Sequence, residues 1–105
     1  MTTEFRLPHW EVSVDGIWLT RHFRFENFLQ AHQLVMEVAM ISERLQHHPE
    51  IRYGWGYVEL RITSHDAGEL TQKDINWIEQ VEQLPALQPQ AQYYPLPYPT
   101  ESKIN

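Results

Sequence analysis

Pro49 places the tightest limit on how this chain folds. The stretch Arg44–Ile51 reads RLQHHPEI and closes a long run of apolar residues at helical spacing. Phe28, Ala31, Val35, Val38, Ser42 and Leu45 fall on one side of a helix, with Leu34 and Ile41 beside them. Asn27 is a good N-cap, and Gln30 at the third helical position makes a variant of the capping box. A residue before proline is pushed away from helical angles, so a helix over Phe28–Gln46 has to stop by His48. Two adjacent histidines are thereby presented on a loop that Pro49 stiffens.

Strand signals lie on both sides of this helix. In WEVSVDGIWLTRHFRF, Trp10, Val12 and Val14 alternate with polar residues, Asp15-Gly16 supplies a turn, and Ile17 and Leu19 resume the alternation. After Pro49, a short strand over Ile51–Tyr53 leads to Trp55 between Gly54 and Gly56. The next strand, YVELRITS, has Val58, Leu60 and Ile62 on one face and Tyr57, Glu59, Arg61 and Thr63 on the other. The loop HDAGEL precedes Thr71, the N-cap of a second helix running to about Leu84. The order β-β-α-β-β-α implies an α+β fold: a four-stranded antiparallel sheet with both helices packed on one face. From Pro85 the chain turns to Pro, Gln and Tyr, which favours neither helix nor sheet. We therefore divide it into a domain over residues 1–84 and a tail over 85–105, read as extended. Such a tail is either a weakly ordered terminus or an arm that docks on a partner.

Composition excludes several classes. The chain has 105 residues, enough for one core, and lacks cysteine, so disulfides, thiolate nucleophiles and Cys-type zinc sites are out. Its formal charge is −6, and its eight Lys and Arg are scattered, which argues against direct nucleic-acid binding. The apolar run LVMEVAMI is broken by Glu37 and is too short for a bilayer. The start MTTEFRLPHW has no secretory pattern, so a cytoplasmic location is expected. Phosphate-loop, dinucleotide and serine-nucleophile motifs are lacking.

The candidate chemistry lies in histidines. His47 and His48 leave the chain in different directions, which suits two sides of a pocket better than one metal ion. Glu43 stands four residues before His47, a spacing at which helical side chains meet, and a carboxylate on one ring nitrogen fixes the tautomer. His65 ends the YVELRITS strand, where scaffolds present reactive groups. With an unperturbed pKa of about 6.5, imidazoles both give and take protons near neutrality. One protonated and one neutral ring suit an elimination of water. Each histidine also has a plainer reading, as a helix-dipole partner or a turn residue. Three histidines match the ligand number of catalytic zinc, but no HExxH spacing accompanies them. Asp74, three residues after Thr71, completes a capping box. Trp10 and Trp55 are the tryptophans that would face a flat heterocycle, although core or interface positions suit all four. His9, His22 and His32 lack companions.

Taken together, Glu43, then His47-His48-Pro49, Trp55 six residues on, His65 ten further and Asp74 nine beyond resemble the signature of the pterin-4a-carbinolamine dehydratases. RHFRFENFLQA, VAMISERLQHHPEI and ITSHDAGELTQKDI are similar to that family as well, over about Trp10–Leu84. The resemblance implies removal of water from 4a-hydroxytetrahydropterin to give quinonoid dihydropterin, with no metal or organic cofactor, in a homodimer or homotetramer. It implies His47, His48 and His65 as active-site histidines, with His47 and His65 for acid–base work and His48 also touching substrate. Gln46, Thr63, Ser64 and Asp66 would line the pterin pocket, partly through backbone groups, and Glu43, Pro49 and Asp74 would orient and support. The family's N-terminal helix is short or absent before Trp10, and Glu69 adds a charge near the pocket loop. Some relatives serve as protein-binding, assembly or transcription-cofactor modules, so a non-enzymatic role on the same fold is the alternative.

Overall fold

The computed structural model describes residues 9–64 and 67–93. Strands β1 (Glu11–Val12) and β2 (Leu19–Arg24) precede helix α1 (Phe28–Leu45); β3 (Glu50–Gly54) and β4 (Tyr57–Ile62) precede helix α2 (Gln72–Glu82). The four strands form one antiparallel sheet in the order β1-β2-β4-β3. The fold is α+β, as the element order implied. Any N-terminal helix would fall in residues 1–8, outside the described residues.

The first hairpin is looser than a two-residue Asp-Gly turn. Pairing stops at Val12 opposite Leu19, and residues 13–18 form the connection. The Ser13 hydroxyl donates to Asp15 and accepts from the Trp18 N–H, while Gly16 takes φ of 79°. The Ile17 N–H also donates to the Asp15 carboxylate at 3.3 Å, and the Gly16 N–H donates to the Ser13 carbonyl at 2.9 Å. Its pKa is lowered, first by Ser13 and then by the Ile17 N–H. The second hairpin is tight: Gly54 pairs with Tyr57, and Gly56 at φ 82° takes the left-handed position that Trp55 does not.

Register explains the core. Leu19, Phe23, Val58, Leu60 and Ile62 point from β2 and β4 to the face that the helices cover, and all are buried. The helix face that meets them is rotated from the one the spacing suggested. Ala31, Leu34, Val38, Ile41 and Ser42 are buried, whereas Phe28 is exposed and Val35 and Leu45 are half-buried. From α2 come Ile75, Trp77, Ile78 and Val81. Trp77 meets Trp10 edge-on at 5.9 Å and donates from its indole nitrogen to the Ser42 hydroxyl at 2.9 Å. Both partners of that bond are buried, so it fixes α2 against α1 in a way apolar contact alone does not.

Residues 85–93 do not run out as an extended tail. Pro85–Leu87 forms one turn of 3-10 helix, Ala86 is buried, and its N–H donates to the Glu37 carboxylate at 2.9 Å. Tyr93 returns to the domain, its hydroxyl donating to the Ala86 carbonyl at 2.7 Å and its ring standing edge-on to Phe25. Residues 94–105 lie outside the described residues.

Two outcomes follow. Ser42→Ala leaves the buried Trp77 N–H without an acceptor, and urea denaturation should register a loss of about 1–3 kcal/mol. Tyr93 has its pKa raised above the ordinary 10, chiefly by burial and then by Glu37 and Glu26. Its contribution is therefore complete below pH 10 and fades as pH rises through the higher folded value. Limited proteolysis should cut the 85–93 segment faster above pH 10, and Tyr93→Phe should remove that pH dependence.

Candidate functional site

The site begins with a strained turn at the end of α1. The helix stops at Leu45, earlier than Pro49 requires, and Gln46 takes a left-handed conformation at φ 53°. The Gln46 N–H bonds the Glu43 carbonyl at 3.3 Å and the His47 N–H bonds the Ser42 carbonyl at 3.0 Å, the bond pair of a Schellman ending. Left-handed backbone costs a non-glycine residue about 1–2 kcal/mol. The Gln46 side chain offsets part of that, donating from Nε2 to the Glu43 carbonyl at 2.7 Å.

This turn sends the two histidines to different partners from those that helical spacing suggested. His47 Nε2 lies 2.7 Å from Asp74 Oδ1, with side-chain exposures of 11% and 0%. Glu43 pairs with His48 instead, Oε2 to Nε2 at 2.5 Å, with exposures of 73% and 52%. The expected Glu43–His47 pair fails because Gln46 breaks the helical path between them. The buried contact belongs to Asp74.

Asp74 does three things at once. Oδ1 meets His47; Oδ2 accepts from the Thr71 N–H at 2.8 Å, closing the capping box, and from the Ser64 hydroxyl at 2.7 Å. Because Ser64 donates to Asp74, the Thr71 hydroxyl 2.9 Å away donates to Ser64. Thr71 Oγ1 in turn accepts from the Lys73 N–H at 3.2 Å. An ionised carboxylate only accepts, so the His47 nitrogen facing it carries the proton and Nδ1 is left as the exchangeable position.

These groups border a cavity of about 540 Å³, a size that suits a small organic ligand. Gln46, His47 and His48 contribute from the end of α1, Thr63 and Ser64 from beyond β4, Ala67 from the following loop, and Thr71, Gln72 and Lys73 from the start of α2. Thr63 is buried and its hydroxyl donates to the Ile17 carbonyl, so neither it nor Ser64 has a hydroxyl proton free for a ligand. Pro49 is half-buried beside the histidines. His65 and Asp66 lie outside the described residues. Ala67, Thr71, Gln72 and Lys73 were not singled out as lining by the sequence; the capping box was the signal that could have brought Thr71 and its helical neighbours to the site. Neither Trp10 nor Trp55 borders the cavity: Trp10 packs in the core and Trp55 is 72% exposed at the β3–β4 turn. Among the described residues, no three metal-ligating side chains gather.

The model of the family described as pterin 4 alpha carbinolamine dehydratase matches residues 1–84. The chain belongs to this family. Its relatives include proteins whose names assign them provisionally as pterin-4-alpha-carbinolamine dehydratases. One from Paracoccus denitrificans is 39% identical over 66% of this chain and 64% of its own length. Others from Natronomonas pharaonis and Rubrobacter xylanophilus are 41% and 40% identical, over 67% and 75% of this chain and 76% and 73% of theirs. Among solved structures, a transcriptional coactivator/pterin dehydratase from Brucella melitensis superposes with a TM-score of 0.67 at 26% identity, over 72% of this chain and 81% of that one. A pterin dehydratase-like protein identified as a RuBisCO assembly factor in the alpha-carboxysome shares the fold, with a TM-score of 0.53 at 22% identity over 69% of this chain and 88% of that one.

The two carboxylates should separate sharply in stability. Asp74→Ala strands His47, Ser64 and the α2 N-terminus, and chemical denaturation should show a loss of about 3–5 kcal/mol. Glu43→Ala removes an exposed pair and should stay within about 1 kcal/mol.

Proposed function

We propose that this chain removes water from a 4a-hydroxytetrahydropterin to give quinonoid dihydropterin, by histidine acid–base catalysis with no metal or organic cofactor. The observation that carries the reading is the buried His47–Asp74 contact at the wall of the cavity. Membership of the family supplies the substrate class.

In this mechanism Asp74 holds His47 by Nε2 and balances the imidazolium, so Nδ1 delivers a proton to the 4a-hydroxyl. The C4a–O bond breaks and water leaves. The N5 lone pair forms the C4a=N5 double bond, and a second imidazole removes the N5 proton, so charge and protons balance. His65, which follows the lining residue Ser64 in the chain, is assigned as that base, and His48 as a substrate contact able to share the transfer. Gln46 offers its side-chain carbonyl, and Thr63, Ser64 and Asp66 act through backbone groups and as wall. Glu43 steadies His48.

We extend the proposal to a cytoplasmic homodimer or homotetramer; no described helix is long and apolar enough to cross a membrane. The edge of β3 has no strand partner among the described residues and lies beside Phe28 and Tyr53, which stack at 5.5 Å. A second reading, a protein-binding module, draws on the coactivator name of the Brucella protein and on exposed Phe28, Met36 and Met40 along α1.

Quinonoid dihydropterin formation from 4a-hydroxytetrahydropterin, followed by absorbance, tests the enzyme reading. The protein should accelerate dehydration, and His47→Ala should lower turnover about 10²–10⁴-fold with the fold intact by circular dichroism. No acceleration by the wild-type protein would leave the binding-module reading standing.

A further inference from the structure

The cavity wall is largely spent on the protein itself. The Thr63 hydroxyl is given to Ile17, the Thr71 hydroxyl to Ser64 and the Ser64 hydroxyl to Asp74. The amide donors are engaged as well, Gln46 Nε2 with the Glu43 carbonyl and Gln72 Nε2 with Asn76 at 2.9 Å. His47 and His48 each have Nε2 on a carboxylate. One lining side chain stands apart. The Lys73 ammonium forms no hydrogen bond or ion pair among the described residues, and it is the only fixed positive charge in the described lining.

Its position has no structural explanation either. Lys73 occupies the first turn of α2, where a cation opposes the helix dipole, and only its backbone N–H takes part in the cap. The same turn holds Asp74, which the dipole favours. The protein as a whole carries −6, so the Lys73 ammonium is a local positive charge against a negative background. The chain neighbours Asp66 and Glu69 carry the opposite sign; Glu69 is exposed and does not border the cavity. At about 540 Å³ the cavity accommodates more than a bare bicyclic ring.

We infer that Lys73 is a specificity-determining residue and that the preferred substrate is a tetrahydropterin carrying an anionic group on its side chain. This rests on the dehydratase reading above. The ring occupies the histidine end, and the acidic substituent reaches the ammonium at the start of α2. The shared chemistry is an oxyanion, carried by either a carboxylate or a phosphate.

The test compares three 4a-hydroxytetrahydropterins that differ in the side chain: a neutral dihydroxypropyl group, a carboxylate-terminated group and a phosphate-terminated group. kcat/KM is measured for the wild type, Lys73→Gln and Lys73→Arg. A charge-assisted contact at a partly open rim predicts that Lys73→Gln lowers the anionic-to-neutral ratio about five- to tenfold, mainly through KM, and that Lys73→Arg keeps most of it. The anionic substrate with the larger fall identifies the source of the oxyanion. An unchanged ratio for both anionic substrates, with dehydration still catalysed, overturns the role of Lys73 and leaves the dehydratase reading intact. If the wild type turns over none of the three, both readings fall.

Discussion

The contact between His47 and Asp74 joins the fold to the site. It links the end of α1 to the start of α2 across 27 residues of chain, and both partners are withdrawn from water. A buried carboxylate is tolerated only when its oxygens are met by donors. Asp74 has three: a ring nitrogen, a hydroxyl and the backbone N–H that caps α2. The group that starts the second helix is therefore the group that orients the histidine. Moving either helix relative to the other would take His47 away from this carboxylate, which ties the geometry of the cavity to the packing of Trp77 on Ser42.

Much of the frame was legible because it is written in local signals. The cap at Asn27, the Thr71–Asp74 box, the alternation of Val58, Leu60 and Ile62, and the turn glycine at Gly56 each depend on residues a few positions apart. What depended on distance was harder. That β2 lies against β4 follows from pairing Phe23 with Val58 and Leu19 with Ile62, which no local pattern encodes. The buried stripe of α1 lies further from Phe28 than the spacing implies, since the spacing admits several neighbouring faces and only the sheet selects one.

His47 meets Asp74 and not Glu43 for a definite reason. Helical spacing pairs Glu43 with His47 only if the helix continues through Gln46. The proline signal was real, but the turn comes before it, at a residue whose type gives no warning of a positive φ. Over residues 85–93 the composition fits the absence of a long helix or strand. Composition was silent on Ala86 and Tyr93, which attach residues 85–93 through a buried N–H, a carbonyl and a ring contact.

The strain at Gln46 and the burial of Asp74 are best understood together. Glycine at position 46 would remove the left-handed penalty, but it would also remove the amide that holds the Glu43 carbonyl and a side chain that borders the cavity. A polar residue in the cavity wall is thus kept at a conformational cost of about 1–2 kcal/mol. The turn it makes gives His47 and His48 unlike surroundings, one nearly dry against a carboxylate with no exposure, the other half in solvent beside an exposed glutamate. Two identical side chains, adjacent in sequence, are thereby differentiated. That difference arises from a single left-handed residue.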